Sequence, residues 1–130
     1  MDKKELYNEW IEMANNDYEI ARRMFSEHWP KQHINICYRC QQAAEKYLKG
    51  YLAYKEEEII KTHILEDLLI ICEKYDIRFN EIKDMCIRLT PFATQVRYPN
   101  NGFDITDSIA KKALLDAECI MAFIINKINE

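Results

Sequence analysis

Glycine and proline are scarce in this chain of 130 residues, which contains two glycines and three prolines. Sheet proteins need such residues in the turns between short strands, so their scarcity favours helices joined by few turns. Hydrophobic residues make up 48% of the chain and charged residues 31%, as is usual for soluble globular proteins. We therefore expect one all-α domain over residues 1–130 with a substantial hydrophobic core.

The chain also lacks an excess of basic residues and any long apolar run. Its net charge of −4 argues against a protein that coats nucleic acid constitutively, but it leaves room for transient RNA contact through a local patch. No apolar run approaches the roughly 20 residues of a membrane span, and the first residues lead straight into an amphipathic pattern. The five cysteines are odd in number, so we expect reduced thiols. We expect a cytoplasmic protein without cofactor or membrane contact.

Residues 37–52 carry the strongest helical pattern. Apolar and small residues occupy positions 37, 40, 43, 44, 47, 48, 51 and 52, which is the spacing of one helix face. The polar residues Gln41, Glu45 and Lys49 follow one another at intervals of four on the flank, and Glu45 precedes Lys49 in the favourable order for an ion pair. We interpret this segment as a central helix, from about residue 33 to 55, whose polar edge faces a cleft.

The first helix is predicted over residues 3–28. Asp2 is its expected cap, and Glu5 is the second half of a capping box. Asp17 interrupts the apolar stripe, and we expect it either to bond Arg39 of the neighbouring helix or to line a site. The stripe itself consists of Leu6, Trp10, Met13, Ala14, Ala21, Met24 and Phe25. Trp29 and Pro30 end this helix, and the short joint predicts an antiparallel pair with the central helix.

Two short helices and one long helix are predicted in the second half. Thr62 is the expected cap of the third helix, whose core face is Ile64, Leu65, Leu68, Leu69 and Cys72. The fourth is predicted to begin near Asn80, and Pro91 kinks or ends it. Thr106 or Asp104 is expected to cap the last helix after a loop at residues 99–102. The charged residues 55–58 indicate a solvated helix end or loop. The sum is a bundle of about five helices, three long and two short.

Three patches together resemble the HEPN domain (higher eukaryotes and prokaryotes nucleotide-binding). They are residues 41–49 (Gln-Gln-Ala-Ala-Glu-Lys-Tyr-Leu-Lys), residues 61–65 (Lys-Thr-His-Ile-Leu) and residues 97–99 (Arg-Tyr-Pro). The resemblance covers nearly the whole chain. It implies an up-and-down helical bundle that is often homodimeric and often encoded beside a small nucleotidyltransferase in toxin–antitoxin-like pairs.

Many proteins of this family are metal-independent ribonucleases, and the resemblance to them is incomplete. Their motif is an Arg followed, after four to six residues, by a His near the last long helix. Arg97 is well placed for the Arg, but Gly102 stands where the shortest spacing would put the His, and no His follows residue 63. Without an imidazole the usual group that assists a ribose 2′-hydroxyl is missing. The Arg-Tyr-Pro sequence is typical of a branch that binds or scaffolds. Arg39 stands where many relatives have His.

Arg97, Tyr98, Lys61 and His63 are the candidate anion-binding cluster. Arg binds phosphate with two donors, Lys acts as a point charge, and Tyr can stack on a base. Gln41, Glu45 and Lys49 are expected to line the same site. The plainer interpretation is that Arg97 and Tyr98 only hold their loop against the bundle.

Two other patterns carry less weight. Arg23 and His28 match the ribonuclease spacing, but they lie at the end of the first helix and such a match is expected by chance. His33, Cys37 and Cys40 share one helix face and could form a metal arc with His63 as fourth ligand. Both cysteines also fit the core stripe, which is commoner, so no metal site is assigned.

Three hypotheses for function follow. The first is a non-catalytic HEPN protein that binds a nucleotide, RNA or a partner nucleotidyltransferase. The second is a ribonuclease toxin that uses Arg97 with Tyr98 or His63. The third is a pure dimerisation or adaptor module, to which aromatic residues such as Trp29, Tyr51 and Tyr54 could contribute contacts.

Overall fold

The computed structural model describes residues 1–27, 29–94 and 105–130. Over those ranges the chain forms five α-helices and two short 3-10 helices, and no strand. The helices are α1 (Lys3–Glu27), α2 (His33–Tyr54), α3 (Leu65–Glu73), α4 (Lys83–Leu89) and α5 (Asp107–Ile128), with 3-10 turns at Ile77–Ile82 and Thr90–Ala93. The predicted all-α bundle of three long and two short helices is confirmed. Within the described ranges, no helix combines the length and apolar character needed to cross a bilayer.

Helices α1 and α2 pack antiparallel over their whole length. Lys3, at the start of α1, lies over the ring of Tyr54 at the end of α2, and Lys31, just before α2, lies over the ring of Phe25 near the end of α1. Closer to the end where Lys3 meets Tyr54, a Cβ placed on Gly50 would come to 3.0 Å from the Cβ of Trp10. Gly50 therefore sets how closely the two helices approach.

Helix α2 is the centre of the bundle, since most of its residues from Ile36 to Ala53 are buried. After α2 the chain returns along it without regular structure. At His63 the returning chain lies beside Glu45 of α2. Helix α3 then runs parallel to α2, and just after its end the ring of Tyr75 packs against that of Tyr51, with 6.3 Å between the ring centroids. The extended return places residues 61–64 against the polar flank of α2.

Helix α2 ends in a Schellman arrangement. The amide of Glu57 donates to the carbonyl of Leu52 at 2.9 Å, and the amide of Glu56 donates to that of Ala53 at 3.0 Å. Such a turn requires a left-handed residue, which is usually Gly, but here it is Glu56 with a φ of 61°. The charge run at residues 55–58 is thus a helix end, as predicted.

The last helix runs parallel to α2 and is fastened near both ends. At its start, Asp107 accepts from Lys31 at 2.8 Å and lies 3.1 Å from the ring of His33. At its end, Lys127 donates to Asp76 at 2.6 Å, and Arg78 donates to both Asp76 and Glu130. These contacts fix α5 against the segments that precede α2 and α4.

The predicted stripe of α1 is partly wrong. Leu6 and Met13 are exposed at 37% and 44%, and the buried residues are Tyr7, Ala14, Asp17 and Ala21. A helix with apolar residues on two adjoining faces does not reveal from its sequence which face meets the core. The same error placed Ile64 in the core of α3, whereas its side chain is exposed.

Two predicted caps are confirmed and two are wrong. The amide of Glu5 donates to Asp2, and that of Ile109 donates to Thr106. The alternative cap Asp104 lies outside the described residues. Thr62 does not cap α3, because that helix begins three residues later at Leu65. Asn80 does not begin α4 either, since it falls inside the 3-10 turn that Asp76 caps.

Candidate functional site

Buried side chains of α2 hold the loop that carries His63. The side-chain amide of Gln41 donates to the carbonyl oxygen of His63 at 2.9 Å, and Glu45 Oε1 lies 2.8 Å from His63 Nδ1. Gln41 is fully buried and Glu45 is 4% exposed. The position of this irregular loop is therefore set by two polar side chains on a rigid helix.

The same carboxylate is bonded from a second side. Lys49 donates to Glu45 Oε2 at 3.0 Å, and these side chains are only 11% and 6% exposed. Gln42 completes the network by donating to Gln41 Oε1 at 2.8 Å. Among the described residues, every buried side-chain nitrogen and oxygen has a partner. The predicted ion pair of Glu45 and Lys49 is thus present, but it belongs to a buried network rather than to an exposed edge.

The imidazole of His63 faces outward from this network. A carboxylate can only accept hydrogen bonds, so the proton of the neutral ring lies on Nδ1 and points at Glu45. The other nitrogen, Nε2, then carries a free lone pair on a side chain that is 63% exposed. His63 can accept a hydrogen bond or a proton at Nε2, or donate there to an anion when the ring is protonated.

A pocket of about 560 Å³ opens beside His63. Hydroxyl groups contribute much of its polar lining, and one of them joins two elements. Thr90 accepts from the amide of Leu65 at 3.0 Å and donates to Glu66 at 2.5 Å, so it caps α3 from the far side of the bundle. The residues that line the pocket are Thr62, His63, Ile64, Glu66, Thr90, Pro91, Ala93 and Thr94.

The structure places some of the predicted site residues together and leaves others undetermined. Lys61 is exposed and lies two positions before His63 in the same loop. Gln41, Glu45 and Lys49 lie behind the loop and support it. Arg97, Tyr98 and the whole predicted loop at 99–102 lie outside the described residues, so their part in the cluster stays a prediction.

The buried carboxylate of α1 has the predicted partner and a second one. Arg39 Nη1 donates to Asp17 Oδ1 at 2.7 Å, and Lys46 donates to Asp17 Oδ2. Both cations come from α2, seven residues apart, and therefore from one face of that helix. Asp17 is a satisfied buried group that joins α1 to α2, and it does not line the pocket beside His63.

The two weaker patterns find structural explanations. Arg23 pairs with Glu19 at 3.2 Å, and its predicted partner His28 lies outside the described residues. His33 turns to Asp107, while Cys37 and Cys40 are fully buried in the core. Burial raises the pKa of Cys37 to about 12 and that of Cys40 well above its ordinary range, which opposes the thiolate form that metals require. Over residues 1–27, 29–94 and 105–130, no three His, Cys, Asp or Glu side chains are grouped to hold a metal ion.

Comparison with known proteins agrees with this architecture. The sequence profile of the HEPN domain matches residues 7–128. The crystal structure of TT1696 from Thermus thermophilus superposes with a TM-score of 0.82 at 25% identity, covering 93% of this chain and 97% of that one. The crystal structure of ST0689, an archaeal HEPN homologue, superposes with a TM-score of 0.75 at 25% identity, covering 94% of this chain and 97% of that one. No curated protein matches the chain significantly.

Proposed function

This chain belongs to the HEPN domain family, and from that membership we propose that it binds a nucleotide or RNA in the pocket beside His63 without cleaving it. The observation that carries the proposal is the pair formed by the buried carboxylate of Glu45 and the exposed imidazole of His63. Burying a charge is costly unless it is fully bonded, and an apolar contact could hold the loop without that cost. An arrangement that orients an exposed ring in this way supports a role for the ring itself.

The chemistry of the pocket suits a phosphate ester. A protonated His63 in the lining offers a donor to an anion, the exposed Lys61 two positions earlier in the same loop offers others, and Thr94 adds an exposed hydroxyl to the lining. In the sequence, Arg97 and Tyr98 follow Thr94 by three and four positions. We propose that Arg97 binds the phosphate and that Tyr98 stacks on a base, with Gln41, Glu45 and Lys49 acting through His63.

A binding titration tests this proposal. Fluorescently labelled single-stranded RNA and labelled AMP are titrated with the wild type, with His63→Gln and with Arg97→Ala, and the helical circular dichroism of each is recorded. We expect both variants to keep the helical signal and to bind at least tenfold more weakly. His33→Gln is the matched control, because His33 also faces a carboxylate but lies away from the pocket. Wild-type protein that binds neither probe would refute the proposal.

Ribonuclease activity is the second candidate, and the pairing of His63 with Glu45 is what favours it. The Nε2 of His63 could take the proton of a ribose 2′-hydroxyl while the 2′-oxygen attacks the adjacent phosphorus, the bond from phosphorus to the 5′-oxygen breaks, and that oxygen leaves with a proton from water, which gives a 2′,3′-cyclic phosphate. Incubating the same RNA with wild-type protein, in the presence of a chelator that removes metal ions, and then measuring whether the RNA is cleaved distinguishes the two functions. Cleavage that is lost in His63→Gln would establish the enzyme, whereas intact RNA bound to protein supports the non-catalytic function.

We also propose that the chain forms a homodimer through the outer face of α1. Leu6, Met13 and Ile20 are exposed and lie seven residues apart, so they continue the spacing of a coiled-coil seam along the helix. Glu9 and Arg23 flank this seam on the same side, and an antiparallel second copy would bring Glu9 of each chain near Arg23 of the other. A hollow of about 410 Å³ at the far end of the seam would receive Leu6 of the second copy. Its lining residues are Ile20, Arg23, Met24 and Glu27.

The mass in solution tests the dimer. Light scattering after size-exclusion chromatography is expected to give twice the chain mass for the wild type and a single mass for Met13→Glu. The control is Ile70→Glu, since Ile70 is 61% exposed on α3 and lies outside the seam. A monomeric wild type, or a Met13→Glu variant that stays dimeric, would overturn this interface.

Of the aromatic residues that the sequence suggested for contacts with a partner, Tyr51 is buried and cannot make them, whereas Trp29 is 84% exposed.

A small nucleotidyltransferase remains the proposed protein partner, and a cytoplasmic location is proposed with it. All five cysteines are free, which suits a reducing compartment. The adaptor hypothesis predicts a stable complex with the product of a neighbouring gene and no binding of RNA or AMP. Co-expression with that gene product followed by affinity purification separates the adaptor from the nucleotide-binding protein.

A further inference from the structure

A second pocket lies between α4 and α5, away from His63. Its volume is about 210 Å³, and none of the described residues that line it also lines the pocket beside His63. Of these described residues, Phe92, Ile109 and Ala113 form apolar walls, and the others carry charge. The charged residues are Arg88, Lys112 and Asp116. None of the sequence patterns singled out this group.

The charged edge of this pocket carries a net positive charge. Arg88 donates to both oxygens of Asp116, from Nε at 2.9 Å and from Nη2 at 3.0 Å, and the carboxylate is 2% exposed. This bidentate bond already satisfies Asp116. Lys112 lies 3.5 Å from the same carboxylate, beyond a good hydrogen bond, and its side chain is 56% exposed. The ammonium of Lys112 has three donors, so its long ion pair with Asp116 leaves donors for a further anion, and the two cations screen the buried carboxylate from that anion.

The size of the pocket limits what can enter. A dry cavity of about 150 Å³ is enough to hold benzene. We infer that the pocket of Arg88, Lys112 and Asp116 binds a small monoanion with a compact apolar body, such as an aromatic carboxylate. The ring lies against Phe92 and Ile109, and the carboxylate meets Lys112 and the outer face of the Arg88 guanidinium. Among the described residues, this site and the pocket beside His63 have no lining residue in common.

Benzoate is the probe for this site, and its neutral isostere benzamide is the charge control. A ligand of this size binds with a Kd on the order of 1 mM. In titrations of ¹⁵N-labelled protein, benzoate is expected to shift the amides of residues 88–90, 92 and 109–116, and benzamide to bind at least fivefold more weakly. Equal shifts with both compounds, or shifts spread over the whole surface, would overturn the inference.

Three variants localise the effect. Lys112→Gln removes the exposed cation of the pocket and is expected to weaken the binding of benzoate at least fivefold. Lys111→Gln is the matched control, since Lys111 is an exposed cation on the same helix that does not line the pocket. Ala113→Leu fills the apolar space and is expected to abolish benzoate binding. Should that variant fail to fold, the comparison of Lys112→Gln with Lys111→Gln still decides, because equal affinities there contradict the site.

Discussion

Glu45 on α2 and His63 in the following loop form a hydrogen-bonded pair in which the carboxylate is buried and the imidazole is exposed, with 2.8 Å between Oε1 and Nδ1. The asymmetry separates two roles. Glu45 is part of the core and is bonded by Gln41, Lys49 and His63, whereas His63 is available to solvent on its outer edge. Their substitutions should therefore affect different properties of the protein.

Replacing Glu45 is expected to cost stability, and replacing His63 is not. Glu45→Gln removes the negative charge and leaves the ammonium of Lys49 buried without its ion pair, which we expect to lower the free energy of unfolding by about 1–3 kcal/mol. His63→Gln should change it by about 0.5 kcal/mol or less, as for an exposed side chain. Urea unfolding followed by circular dichroism measures both. Equal losses would show that His63 is mainly a structural residue.

Glu56 offers the opposite change, a gain in stability. Its φ of 61° lies in the left-handed region, which costs a residue with a Cβ about 1–2 kcal/mol. Glu56→Gly should relieve that cost and raise the free energy of unfolding by about 0.5–1 kcal/mol, after the greater freedom of Gly in the unfolded chain is counted. Glu58→Gly is the control, because Glu58 has no positive φ, and it should not stabilise. A Glu56→Gly variant with lowered stability would contradict the assignment of the helix end.

One thiol of five should react in the folded protein. Burial raises the pKa of Cys37 and Cys86 to about 12 and that of Cys40 and Cys72 well above the ordinary range, so these thiols are both neutral and shielded. Cys119 is exposed on α5. Titration with a chromogenic disulfide at pH 8 should therefore release one equivalent, and five in denaturant. Release of two or more from folded protein would place another cysteine at the surface, and Cys119→Ser should abolish the fast reaction.

The bonds that Arg78 and Lys127 donate to Asp76 predict that the free energy of unfolding depends on pH in the acid range. Bonds from Arg78 and Lys127 hold the pKa of Asp76 below its ordinary value of 3.8, so folding favours the ionised form. The stabilisation is complete above that ordinary value and is lost as the pH falls through the lower folded value. Asp76→Asn should thus be less stable than wild type at pH 7, with the difference shrinking progressively below pH 3.8. A difference that is constant from pH 7 to pH 2 would show that ionisation of Asp76 is not its cause.

Elements with strong periodicity could be predicted from the sequence, and so could local contacts. Two helix caps follow from local sequence, because Asp2 and Thr106 each bond an amide three residues later. The bond from Arg39 to Asp17 follows from the predicted packing of the first two helices. The cap of α3 could not be predicted in this way. Its hydroxyl comes from Thr90, 25 residues after Leu65, and only the folded bundle brings the two together.

The polar line on α2 could be predicted from the sequence, but its surroundings were misread. The sequence placed Gln41, Glu45 and Lys49 on one line of α2, and their spacing suggested an exposed edge. The return of the chain along α2 covers that line with residues 61–64, so the three side chains became internal supports for His63. The pair of Arg88 with Asp116 was missed for the same reason, since 28 residues separate the two.

The way His63 is held also determines where this protein tolerates added sequence. The chain between α2 and α3 is bonded near Glu57, through Tyr75, and again at His63, through α2. Between those points lie Glu58 and Ile60, which are exposed. Because the closing of a longer loop costs only fractions of a kcal/mol per added residue, extra residues after Glu58 should leave the His63 end of the loop in place. A fluorescent or affinity peptide could therefore be inserted there as a reporter beside the pocket.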